Sequence, residues 1–201
     1  HEFNKLAQNT FIGNIVQYNW RYALTWIINL TNHVAAHILE SETNALPRIT
    51  VPGSSNKEYI FANDFWLVGT QEYTVHPLVG DAIYVFTRWA INELNSDKYD
   101  SIIKEQFAQY IKQIILNSAN NCMVLTVVAY IGINFQTLLP GYALELLNSL
   151  ELIYADIQRV AYLRPNATRA LLEKQILQTV GIPNLEKRYP MNDADCFSLQ
   201  D

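Results

Sequence analysis

The chain has 201 residues, half of them hydrophobic, with 16% charged and a net charge of −5. That is enough apolar material for a sizeable core, and the negative balance excludes a general electrostatic nucleic-acid binder. The low charged fraction implies less solvated surface than a free-standing domain shows, so some faces are expected to rest against a protein partner or the rest of a longer polypeptide.

The two cysteines, Cys122 in an apolar run and Cys196 in a polar one, suggest no disulfide framework. With no secretory leader evident, a reducing cytoplasmic setting is the expectation. His1-Glu2-Phe3 matches the remnant of a tag and cloning site, so residues 1–3 are expected to derive from a vector. Together with the acidic end Asn192–Asp195, they point to a piece of a larger protein. The remaining organisation is read as a single helical domain over 4–183, with an insertion at about 44–76 and a polar tail over 184–201.

In chain order, Asn9 to Gln17 reads as a short helix capped by Asn9 or Thr10. Trp20 to Glu40 reads as a longer one, with Tyr22, Trp26, Ile27, Leu30, Val34 and Ile38 at helical spacing. Arg48–Val51 and Lys57–Phe61 flank Pro52-Gly53-Ser54-Ser55-Asn56 and predict a β-hairpin. Asn63 to Pro77 is aromatic and irregular. Pro77 then opens a helix to Leu94, with Val79, Ile83, Phe86, Ala90 and Leu94 on one face. Asp97 to Leu116 is a charged amphipathic helix, and Asn117–Asn121 a tight connection.

The run from Asn121 to Phe135 has no charged side chain. A helix apolar all round must be buried on several sides, and this one is too short for a membrane span of about 20 residues. Pro140–Asn148, Ser149–Leu163 and Asn166–Thr179 complete the helical set. The fold class expected is all-α: an irregular HEAT-like helical array, or α-solenoid, with a small β-hairpin insertion. A compact helical bundle is the other option.

The sharpest arrangement for chemistry is His33, His37 and Glu40, which share one helix face. Two imidazoles and a carboxylate could hold zinc with one position open. The alternative is that they are surface or interface residues, since the pattern lacks the internal Glu of the zinc-protease helix and only His76 and Asp81 could be recruited. No metal or cofactor is therefore assigned. A phosphate-cradling Gly-x-x-x-x-Gly-Lys run is missing from the sequence, as are serine nucleophile elbows. Asp81, Glu93, Glu145, Glu151 and Asp156 read as solvated carboxylates. Asp156 and Arg159 read as a local ion pair or a contact between helices. Tyr59, Phe61, Phe65, Trp66 and Tyr73 are candidates for interaction anchors on the insertion, or for residues pinning it to the helices.

Several segments resemble a known family. Phe65-Trp66-Leu67-Val68-Gly69-Thr70, His76-Pro77-Leu78 and Arg88–Leu94 are followed by Ile115–Asn121, Val124–Ile133, Pro140 and Leu152–Arg159. This order resembles the helical region of large bacterial STAND-type NTPases, of the kind associated with antiphage defence. Tyr84–Arg88 departs from the Met-Ala-Leu-Glu that the resemblance would place there. The resemblance implies a non-catalytic scaffold or sensor segment, packing against or relaying to an ATPase domain whose motifs lie outside this chain. The alternatives are a metal-dependent or small-molecule-binding helical protein using His33, His37 and Glu40, and a stand-alone dimerising module. The partners expected are sister domains, a protein or a second copy, with no nucleic acid and no membrane.

Overall fold

The computed structural model describes residues 10–41, 46–51, 57–68 and 77–163. Residues 1–3, Tyr73, His76, the helix expected over Asn166–Thr179, Cys196 and the tail over 184–201 lie outside them. The chain divides into two compact units, His1–Ile153 and Tyr154–Asp201. The described residues are mostly helical, with one small two-stranded antiparallel sheet.

Helix α1 (Phe11–Tyr18) starts at Thr10, whose Oγ1 accepts the Gly13 N–H at 3.0 Å. It stops at Asn19, and the Asn19 carboxamide oxygen accepts the Tyr22 N–H at 3.1 Å. One residue thus closes α1 and caps α2 (Trp20–Ser41). The buried stripe of α2 is Ala23, Leu24, Ile27, Ile28, Thr31 and Ala35. This differs from the expected stripe, since Tyr22 is exposed and Trp26, Leu30, Val34 and Ile38 are half-buried. Two apolar stripes lie side by side on this helix, and periodicity does not choose between them. The stripe containing Ala23, Thr31 and Ala35 goes inward, where small side chains allow neighbouring backbones closer approach.

Strands β1 (Arg48–Thr50) and β2 (Glu58–Ile60) pair antiparallel, with Ile49 opposite Tyr59. The hairpin is as expected, but the span after it is not wholly irregular: Asn63–Leu67 forms a short helix, α3. Helix α4 (Pro77–Asn95) buries Val79, Ile83, Phe86, Ala90 and Leu94, the face its spacing requires. Helix α5 (Ser101–Ser118) begins later than Asp97, because the Asp100 carboxylate accepts the Ile103 N–H at 2.8 Å and fixes the start there.

The apolar helix α6 is Leu125–Asn134, shorter than the expected Asn121–Phe135. The residues before it are drawn out of the helix by the hairpin. The Ile60 N–H donates to the Asn120 carbonyl at 2.8 Å, and the Cys122 N–H donates to the Ile60 carbonyl at 3.1 Å. This parallel bridge gives β2 a second neighbour and satisfies backbone groups that a helical start would leave without partners.

The expected helix over Pro140–Asn148 is replaced by successive turns ending in a 3-10 segment, Leu146–Asn148. Gly141 has φ +77°, a conformation in which side chains other than glycine are strained, so an α-helix cannot run through it. Helix α7 (Leu150–Leu163) follows, with the Ser149 hydroxyl oxygen accepting the Leu152 N–H at 3.4 Å.

Helix α4 packs against α1, α2 and α6, and α5 packs against α2 and α6. With the hairpin and α3 set aside, every one of these contacts joins helices one or two places apart in the chain. Gly132 of α6 lies against Ala143: a Cβ on Gly132 would come within 2.7 Å of the Ala143 Cβ. Gly132→Ala is expected to destabilise the protein by about 1–3 kcal/mol in urea denaturation. Combining it with Ala143→Gly should recover a large part of the loss, and equal stability of Gly132→Ala and the parent would disprove this contact.

Candidate interaction surface

The α5–α6 connection is held by a polar latch. Asn121 is buried, and its side-chain amide donates to the Asn32 carboxamide oxygen at 2.8 Å. Its own oxygen accepts the Met123 N–H at 3.0 Å. Asn32 in turn accepts the Asn120 N–H at 2.9 Å and donates to the Ser118 carbonyl at 3.1 Å. From the hairpin side, the Tyr59 hydroxyl donates to the Leu116 carbonyl at 2.8 Å, and Lys57 Nζ donates to the Asn117 carbonyl at 2.7 Å. These two carbonyls belong to the last turn of α5, where helix acceptors lack intrahelical partners and a cation is favourable. Partial burial lowers the Lys57 ammonium from its ordinary value.

A second clasp fixes the turns after α6. Lys112 is buried on α5, and its Nζ reaches the Tyr142 carbonyl and the Glu145 carboxylate, each at 2.7 Å. The Tyr142 hydroxyl donates to the Ala108 carbonyl at 2.7 Å. Glu145, expected as a free solvated carboxylate, is therefore an ion-pair partner, because Gly141 turns the chain back towards α5.

His33, His37 and Glu40 all lie on the exposed side of α2. No grouping of three or more His, Cys, Asp or Glu able to hold a metal occurs among the described residues. One helix face supplies too few ligands unless another element closes over it. Tyr59, Phe61, Phe65 and Trp66 are all buried. They are core residues that pin the hairpin and α3, and as anchors for a partner they are inaccessible. Tyr73 lies outside the described residues.

The accessible aromatic group lies elsewhere, where α2, α4 and α5 meet. Trp20 stacks on Trp89 at 6.0 Å, with Phe107 and Tyr110 edge-on to Trp20 at 5.2 and 5.8 Å. Phe107 also meets Trp89 edge-on at 5.8 Å. The Arg21 guanidinium lies 5.0 Å from the Tyr110 ring centre and 5.4 Å from that of Trp20. Trp20, Trp89 and Phe107 are half-buried, while Tyr110 and Arg21 are exposed. Edge and offset-stacked pairs each add about 0.5–1.5 kcal/mol beyond area burial, so the group is a rigid platform rather than loose side chains. A signal for it exists in α5. Ile103, Phe107, Tyr110 and Ile114 recur at helical spacing beside Ala108, Ile111 and Ile115, more apolar positions than one buried face uses.

Comparison of the chain with protein families, curated proteins and solved structures finds no match in any of the three. Among the described residues, no helix is long and apolar enough to cross a membrane.

Replacing Asn121 with Ala strands the Met123 N–H and removes one of the hydrogen bonds to the Asn32 oxygen. A cost of about 1–3 kcal/mol in chemical denaturation is expected, and an unchanged midpoint would show that water substitutes for the amide. Next to it, burial pushes the Cys122 thiol up from 9.0 to about 12. Above pH 9.0 the unfolded chain releases this proton and the folded chain keeps it, so stability falls between pH 9.0 and about 12. The slope reaches at most about 1.4 kcal/mol per pH unit from this group. Tyr142, raised by burial and then by the Glu145 carboxylate, acts in the same direction. Cys122→Ala should shallow the alkaline loss measured by urea denaturation, leaving the part due to Tyr142.

Proposed function

We propose that this chain is a non-catalytic helical scaffold or sensor segment that works by packing against other domains or a protein partner. The observation that carries the reading is the division of labour among its side chains. Buried Thr31, Thr87, Lys112, Asn121, Thr126 and Ser149 are each engaged in hydrogen bonds that hold helices, turns or connections. The accessible chemistry is instead an aromatic platform with a guanidinium on it, the composition favoured at protein interfaces.

The sequence resemblance to STAND-type NTPases supports placing the segment in a larger bacterial, cytoplasmic ATP-binding protein of the antiphage-defence kind. In that setting the ATPase lies outside this chain and the helical segment relays to it. A dimerising module would draw on the same Trp20–Trp89–Tyr110 surface, and mass measurement across a concentration series separates the two readings.

Calorimetric titration with magnesium ATP tests the main claim. No saturable heat is expected, and stoichiometric nucleotide binding by this chain would overturn it. The Tyr110→Ala variant should keep the parent fold by circular dichroism, because Tyr110 is exposed at the surface.

A further inference from the structure

Among the described residues, the guanidinium of Arg21 makes no hydrogen bond and no ion pair. It lies over the Trp20 and Tyr110 rings, 5.4 and 5.0 Å from their centres, on the exposed side of the platform. Ring faces attract the cation but leave its N–H donors to solvent, so the fork that suits a carboxylate stays open. The placement does nothing for α2 itself. Arg21 is the second residue of that helix, and a cation in the first turn opposes the helix dipole, with no acidic residue there to offset it.

The surrounding charges do not neutralise it. From Thr10 to Asn32, through α1 and the first half of α2, Arg21 is the only charged residue. On α5, Phe107–Ser118 holds one charge, Lys112, which is buried and paired with Glu145 at 2.7 Å. Within a turn of Trp89 and Phe107 stand Arg88, Glu93, Lys104 and Glu105, two of each sign. What remains on this face is one positive charge, in a chain of net charge −5.

That charge decides between occupants. A second copy paired platform to platform would bring two Arg21 guanidiniums into one interface. Neither Thr10–Asn32 nor Phe107–Ser118 supplies a carboxylate to set between them. Nucleic acid calls for several cations along its backbone, and one is offered. An apolar side chain with a single carboxylate beside it satisfies both the rings and the guanidinium.

We propose that the Trp20–Trp89–Tyr110 platform docks an acidic segment of a protein partner, with an apolar side chain resting on the rings and an Asp or Glu carboxylate paired with Arg21. This rests on the reading of the chain as an interaction module and names the partner of its platform.

The test uses the full chain and a short labelled peptide of leucine, serine and aspartate, followed by fluorescence anisotropy. Matched peptides carry asparagine or lysine in place of aspartate. The aspartate peptide should bind, the asparagine peptide roughly tenfold more weakly, and the lysine peptide not at all. Arg21→Gln should weaken the aspartate peptide to the level of the asparagine peptide and leave the latter unchanged. Arg21→Lys, which keeps the charge and loses the fork, should fall between Arg21→Gln and the parent. Tyr110→Ala should weaken both the aspartate and asparagine peptides. Arg21 and Tyr110 are exposed, and circular dichroism checks that each variant keeps the parent fold. The proposal is overturned by equal binding of the aspartate and asparagine peptides, by no binding of the aspartate peptide, or by full affinity in Arg21→Gln. It is equally overturned by a mass doubling that Tyr110→Ala abolishes, which would assign the platform to a second copy. Any of these with a flat ATP titration removes the acidic partner alone, whereas stoichiometric ATP binding removes the scaffold reading on which it rests.

Discussion

The buried amide of Asn121 is the point on which the arrangement of the first unit turns. Its donors meet Asn32 on α2, its acceptor meets Met123 ahead of α6, and the backbone on either side of it is bridged by Ile60 of β2. Helix, hairpin and apolar helix therefore converge on one connection. A polar group with no exposure is costly unless every bond is made. Slipping α2 along its axis, or detaching β2, would leave several of these groups without partners at once. The hydrophobic effect drives burial but is non-directional; the latch supplies the direction.

The same logic recurs at Lys112. An ammonium beneath the turns after α6 is tolerated because a carbonyl and a carboxylate lie at hydrogen-bond distance and Tyr142 covers it. The consequence is that a segment without helical continuity, from Phe135 to Ser149, is nevertheless held firmly. The aromatic platform built from Trp20, Trp89, Phe107 and Tyr110 is likewise held by contacts among α2, α4 and α5.

Much of the local structure was legible in the residues. The spacing of Val79, Ile83, Phe86, Ala90 and Leu94 anticipated the inward face of α4, and the turn-rich Pro52–Asn56 anticipated a hairpin. The site was less legible. The loop aromatics Tyr59, Phe61, Phe65 and Trp66 are as suitable for a core as for an interface, and they went to the core. His33 and His37 share a helix face, yet a metal site needs ligands converging from several directions, and the described residues bring none to them. Asn121 read as the start of an apolar helix, because nothing in its neighbours shows that β2, far earlier in the chain, would claim its backbone first.

By itself the sequence determined the helical character, the hairpin, the Thr10 cap and the inward face of α4, because these follow from interactions within a few positions along the chain. Tertiary structure decided which of two adjacent stripes on α2 and α5 faces inward, where α6 begins, and which aromatics stay accessible. Those outcomes depend on groups far apart in sequence competing for the same buried space and the same hydrogen bonds, and local periodicity carries no record of that competition.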